Sequence, residues 1–307
     1  MDTFIQLTVD GLTLGSVYSL IALGYTLVYG VLKLLNFAHG DVFMVGSFIG
    51  FGALQALGGT GNPMVPVWLL LVLVTAAAMA GCAGLGVVIE RFAYRPLRDA
   101  PRIAPLISAL GVSFFLANSM QLLVGAEPRN YDIFSLDNGS LYLKGIDIGN
   151  VRVPLLRIIT ISSALVLMVF LWILVNRTRT GKAMRATSFD REAAAMMGIN
   201  IDRVIVFTFA LSGALAGAAG VMFALRVPTL VSIGFVAGLK GFTAAVIGGI
   251  GSIPGAMAGG LILGFAESYT QGYITTKWSD LIVFSILILF MLFRPQGLLG
   301  RADIRKV

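Results

Sequence analysis

Few residues in this chain are equipped for covalent chemistry. It has one His, His39, and one Cys, Cys82, so neither a two-His zinc motif nor an intrachain disulfide is available. No Gly-x-Ser-x-Gly elbow presents a Ser nucleophile. Thr180-Gly181-Lys182-Ala183 approaches the end of a phosphate-binding loop. It lacks the Ser or Thr after the Lys, and Asn176 stands where the earlier Gly belongs. The chain alone is therefore not expected to hydrolyse ATP, and active transport would draw on an ion gradient or on another subunit.

The remaining chemical candidates are ionisable side chains inside apolar runs. Their burial in lipid is costly, which makes each a functional candidate by default. Asn36-Phe37-Ala38-His39-Gly40-Asp41 opens one such run. Asn36 is suited to cap a helix there, with Asp41 in its first turn, where a negative charge complements the helix dipole. His39 reads either as a packing residue or as a proton relay. Lys240 follows Gly238, and either snorkels to the outer interface or pairs with a buried or substrate carboxylate. Glu267 lies near the outer end of its run and is expected to reach water.

The composition says what surrounds these residues. Of 307 residues, 57% are hydrophobic and 12% charged, and the mean hydropathy is +0.91. A soluble domain has about twice that charge, so the solvent must be mostly lipid. This excludes a soluble enzyme, a disordered chain and a nucleic-acid binder, despite the net charge of +7. Apolar runs near 11–31, 37–57, 65–89, 103–125, 154–176, 204–226, 237–250, 254–270 and 281–293 give nine candidate spans. The two around 237–270 are short and Gly-rich, so the expected fold is an all-α polytopic membrane bundle of about 8–10 spans. It forms one domain over 1–307.

The basic residues orient the bundle. Lys33, the segments 90–102 and 177–203 and the tail after 293 hold fifteen of the 22 Lys and Arg. Alternating spans place all four on one side, which the positive-inside rule makes the cytoplasm. The loop 126–153 and the N-terminus then lie outside. The first basic residue is Lys33, so no secretory signal peptide is expected.

Glycines recur at spacing four, as in Gly11/Gly15 and Gly260/Gly264, where small residues let helices approach closely in lipid. The run 246–255 holds Gly248, Gly249, Gly251 and Gly255 with Pro254. It reads either as a broken element lining a transport path or as a tight turn between two spans. Asn36, His39, Lys240, Gly248, Gly249, Gly251 and Pro254 are the candidates for the path or its gate.

The longest basic segment contains a short helix. Asp190 is its expected N-cap, Arg191 to Met197 are helix formers and Gly198 terminates it. Ala193, Met196 and Met197 fall on one side. So short a helix is marginal alone, so it needs a partner's groove or the membrane interface.

Glu192-Ala193-Ala194-x-x-x-Gly198 resembles the EAA-x-x-x-G coupling motif of ABC importer permeases. Asn36-Phe37-Ala38-His39-Gly40, Gly198-Ile199-Asn200, Phe242-Thr243-Ala244-Ala245-Val246-Ile247-Gly248-Gly249-Ile250-Gly251-Ser252-Ile253-Pro254-Gly255-Ala256 and Arg294-Pro295-Gln296-Gly297-Leu298-Leu299-Gly300 resemble LivH-type permeases of branched-chain amino acid importers. The similarity runs from about Gly11 to Arg301. It implies the large, many-span permease fold and a bacterial inner-membrane location. It also implies a homologous LivM-type partner, two ATPase subunits of LivG and LivF type, and a periplasmic binding protein delivering leucine, isoleucine or valine. Asp190, Glu192, Ala193, Ala194, Met196, Met197 and Gly198 would couple to the ATPases. The chain itself would bind no cofactor, its partners using the ATP. The alternatives are a related permease for urea or short amides, a gradient-driven carrier using His39, Asp41 or Glu267, and a membrane scaffold or enzyme.

Overall fold

The computed structural model describes residues 2–59, 65–98, 100–101, 103–131, 144–148 and 151–300. Half of the predicted outer loop 126–153, and the tail beyond 300 with three of its basic residues, lie outside them. Among the described residues, every predicted span coincides with a helix. These are α1 (Asp2–Leu32), α2 (His39–Ala56), α3 (Val67–Ile89), α4 (Ile103–Val124), α5 (Leu155–Arg177), α8 (Ile201–Ala224), α9 (Ile233–Gly248), α10 (Ile253–Tyr273) and α11 (Ser279–Phe293). Two short helices, α6 (Arg179–Phe189) and α7 (Arg191–Met196), follow α5. A hairpin of β1 (Gly145–Ile148) and β2 (Val151–Pro154), with Gly145 opposite Pro154, leads into α5.

Helices prevail because lipid offers no partner for a free backbone N–H or C=O. Six are long and apolar enough to cross a membrane, those containing α1, α3, α4, α5, α8 and α11; α9 is a shorter apolar helix. The six differ in surroundings. The most apolar stretch of α1 is 94% buried and that of α8 72%, against 17% for α4 and 11% for α11. Thus α1 and α8 form the centre, and α4 and α11 the periphery.

Small residues allow the central contact. A Cβ on Gly264 would collide with the Gly15 amide nitrogen, one on Gly260 with that of Ser19, and one on Gly15 would stand 2.8 Å from the Leu261 Cα. The α1 and α10 backbones therefore touch, a close approach of the kind the spacing-four glycines allow. Ser19 Oγ adds a 2.8 Å bond to the Met257 carbonyl across the same contact.

The two ends of the bundle differ in charge. At one end Arg95 and Arg98 bond Asp202, Arg98 also pairs with Glu90, and Arg191 bonds the last carbonyls of α1. The Leu298 and Leu299 amides meet the Ile247 and Gly248 carbonyls there. At the other end Asp10 pairs with Arg157 at 2.9 Å and Arg129 bridges Thr229. The basic segments described thus gather at one end, as alternation required.

Candidate functional site

At the basic end, side chains cap each short helix. Thr178 accepts from the Gly181 amide at 3.1 Å, and Asp190 accepts from the Ala193 amide at 3.0 Å. Gly198 ends the α7 segment at φ +83, with its amide on the Ala195 carbonyl and the next amide on the Ala194 carbonyl. Such a left-handed position suits Gly. Asn200 then caps α8 through the Arg203 amide. Ala194 is buried, whereas Phe189, Met196 and Met197 are 90%, 82% and 83% exposed. Glu192 is exposed in the first turn of α7. The predicted cap, helix and terminator are all in place. Ala193, however, is only half-exposed beside the two Met.

Sequence reasoning missed what holds α7. Arg191 donates to the Leu32 carbonyl at 2.8 Å and to the Val31 carbonyl at 3.3 Å. The last carbonyls of a helix lack intrahelical partners and carry the negative end of its dipole, so a guanidinium suits them. Nothing in the local sequence near Arg191 points to residues 31 and 32.

Toward the other end, Lys240 is buried between two carboxylates. Its Nζ lies 2.7 Å from Glu267 Oε1 and 2.8 Å from Asp280 Oδ1. Glu267 also accepts from Tyr18 Oη at 2.9 Å and Gln271 Nε2 at 3.1 Å. Pairing with a carboxylate is therefore what the structure selects for Lys240. The expectation that Glu267 reaches water is overturned: it is 4% exposed, because α1, α9 and α10 close around it and supply compensating donors. Beside this network is a cavity of ≈ 290 Å³, walled by apolar residues such as Leu14, Phe223 and Ile233 and by Arg226. Lys240 and Glu267 stood out as ionisable residues in apolar runs. Tyr18, Asp280 and Arg226 carried no such signal.

The family model for the permease component of branched-chain amino acid transport systems matches residues 7–292. The chain belongs to this family. The permease is 41% identical over 305 residues to the high-affinity branched-chain amino acid permease BraD of Pseudomonas aeruginosa, covering 99% of this chain and 98% of that one. It is 42% identical, with the same coverage, to LivH of Escherichia coli. A more distant relative, the galactose/methyl galactoside import permease MglC of Escherichia coli, is 30% identical over 200 residues, 61% of this chain and 57% of that one.

In the permease, the residues considered for a path fall at three levels instead of forming one site. Lys240 belongs to the network just described. Gly248, Gly249, Gly251 and Pro254 lie at the basic end. Gly249 at φ 100 and Gly251 at φ 96 reverse the chain between α9 and α10, and Ser252 caps α10 through the Gly255 amide. The glycine run is thus a tight turn, its backbone packed on Gln296 and Gly300. Asn36 and His39 lie between these levels. The helix begins at His39 after an uncapped Ala38, so Asn36 is not its N-cap. Asn36 Oδ1 instead lies 3.2 Å from Tyr94 Oη, which donates to it. The reason is depth. His39 packs on Gly24, about 12 Å inward from the α1 terminus at 1.5 Å per residue. The intervening segment must dip into the bundle, and its polar groups find partners there. His39 Nδ1 is 3.3 Å from Ser212 Oγ and the ring meets Tyr25 edge-on at 4.7 Å. Asp41, buried in the first turn, accepts from Ser113. His39 makes no ion pair among the described residues, and its Nε2 is buried without a hydrogen-bond partner there. No group of three or more potential metal-binding His, Cys, Asp and Glu occurs among them either.

Proposed function

We propose that this chain is one permease subunit of an ATP-driven importer for leucine, isoleucine and valine, and that it performs no covalent chemistry itself. It lines half of a translocation path together with a homologous LivM-type subunit. Two LivG- and LivF-type ATPases engage α7 from the cytoplasm, and a periplasmic binding protein delivers the amino acid. ATP stays with the ATPases, and the chain holds no cofactor. The bundle is a single domain in a bacterial inner membrane, with the N-terminus periplasmic, the C-terminus cytoplasmic, 177–203 as coupling loop and 126–153 outside. Asn36, His39 and Lys240 flank the path, with the 248–254 turn at its cytoplasmic mouth.

One observation carries this reading. A whole-length family match coincides with a capped, exposed helix that presents Glu192, Met196 and Met197 at the basic end. Exposed Met side chains adapt to a partner's groove, and Glu192 at a helix start offers a charge to basic groups. A gradient-driven carrier is less well supported, since Glu267 is held in an ion pair and His39 faces no carboxylate partner among the described residues. Cargo is tested by calorimetry on the cognate binding protein, where binding of urea or a short amide in place of leucine would move the assignment within the family. Coupling is tested by reconstitution with purified ATPases. Glu192→Lys should weaken ATPase association more than Glu192→Gln. Gly198→Val, forced into a left-handed backbone at a cost of about 1 kcal/mol or more, should lower transport and stimulated ATPase while membrane level persists. Normal recruitment and uptake in both variants would overturn the proposal.

A further inference from the structure

A second cavity, of ≈ 360 Å³, opens at the basic end between the α1 terminus, the linker after Arg98 and the corner between α6 and α7. Its lining includes Lys33, Arg98, Thr187 and Arg191. Cationic groups and unused donors converge on it. Thr187 is 2% exposed and its Oγ1 has no hydrogen-bond partner. Arg98 engages Glu90 and Asp202, yet its Nε is buried without a partner. Arg191 is satisfied by carbonyls alone. Neither Arg191 nor Lys33 forms an ion pair among the described residues. Burial, and next the nearby Arg98 charge, hold the Arg191 pKa below its ordinary value, so two guanidiniums repel each other beside the cavity.

Buried donors without acceptors are rare and call for an explanation. Here they come from two separate elements, Thr187 on α6 and Arg98 before α4, and border one space that the cations Lys33 and Arg191 also line. Such a lining suits an anion with several acceptor oxygens. It also lies where α1 ends beside Lys33, at the level where anionic headgroups meet basic pockets between membrane helices. A phosphate supplies both the charge and several oxygens for charge-assisted hydrogen bonds.

We propose that this cavity is a phosphate site, occupied by an anionic lipid headgroup or by free phosphate, with Lys33, Arg98 and Thr187 as donors. An anion there screens Arg98 from Arg191 and so firms the attachment of α7 to α1. The site does not depend on which cargo the permease carries.

The test uses the full chain purified in detergent and stripped of lipid. Thermal stability is followed while inorganic phosphate, phosphatidylglycerol or phosphatidylcholine is added, and native mass spectrometry counts retained lipid. Stabilisation by phosphatidylglycerol but not by inorganic phosphate identifies a headgroup; stabilisation by both identifies a site open to the free anion. In either case Thr187→Val and Lys33→Gln should each weaken the effect about tenfold, the worth of one charge-assisted hydrogen bond. Lys33 is exposed, so its variant serves if Thr187→Val lowers the yield. The proposal is overturned if neither anion stabilises the chain more than phosphatidylcholine does. It is also overturned if both variants respond like the parent, since water or non-specific charge would then account for the cavity.

Discussion

Replacing Lys240 by Met keeps the apolar stem and removes only the charge. Glu267 then stays buried, 5% exposed at the side chain, with its Lys partner at 2.7 Å gone. Breaking a buried pair from one side costs about 3–5 kcal/mol, because it strands the other charge. Tyr18 and Gln271 still donate to Glu267, so the lower figure of about 3 kcal/mol applies. The link to Asp280 adds little, since Asp280 is 60% exposed and exposed pairs contribute about 0–1 kcal/mol. At roughly 2–4 °C per kcal/mol for a large chain, the unfolding midpoint should fall by about 6–12 °C. Fluorescence-detected size exclusion of heated, detergent-solubilised protein reads this. The double variant Lys240→Met, Glu267→Gln should recover most of the loss. The amide carbonyl that replaces the carboxylate still accepts from Tyr18, and no charge is stranded. A single variant within about 1 kcal/mol of the parent, or a double variant no better than the single, would show that the pair does not hold this end together. A double variant that folds well but fails in uptake would assign the pair to transport.

Three further outcomes are expected. Gly264→Leu drives a Cβ into the α1 backbone at Gly15, so folded yield in the membrane should collapse, whereas Gly84→Leu, with nothing within 4 Å, should be tolerated. Met196→Asp with Met197→Asp, both on exposed positions, should leave the midpoint within about 1 kcal/mol of the parent while ATPase recruitment falls; unchanged recruitment would detach these Met from the coupling surface. In a Cys82→Ala background, an impermeant thiol reagent on intact cells should label a cysteine at exposed Thr276 and spare one at exposed Phe189, and the reverse pattern would invert the orientation.

The elements were legible because their signals are local. Apolar length locates helices in lipid, and each candidate span is found as one. The glycine spacing announced close helix approach without saying which helices meet, and the string Asp190 to Gly198 announced its own cap and terminator. What was not legible depends on distant pairing. Asn36 has the right type and position for an N-cap, but the cap rule assumes that the helix starts where the chain turns back. Here it starts deeper, and Tyr94 claims the side chain. Glu267 looked terminal along its own helix, yet Tyr18 and Lys240 come from elsewhere in the chain to enclose it. The 246–255 run was ambiguous because glycine permits both a broken helix and a turn; positive φ at Gly249 and Gly251 decides for the turn.

The position of α1 joins these features. Its 31 residues span about 46 Å at 1.5 Å per residue, enough to reach both ends of the bundle. Near its middle Tyr18 holds Glu267, and with it Lys240. At its C-terminal end the Val31 and Leu32 carbonyls hold Arg191 of α7. From Gly11 to Ser19 the helix is pressed backbone to backbone on α10, a contact with no slack, because close-packed interiors shift between discrete arrangements rather than deform smoothly. Under the proposed coupling, a push on α7 therefore meets a helix that cannot yield locally. The geometry favours transmission of that push along α1 and α10 together, toward the charge network around Glu267, over its dissipation at the membrane surface.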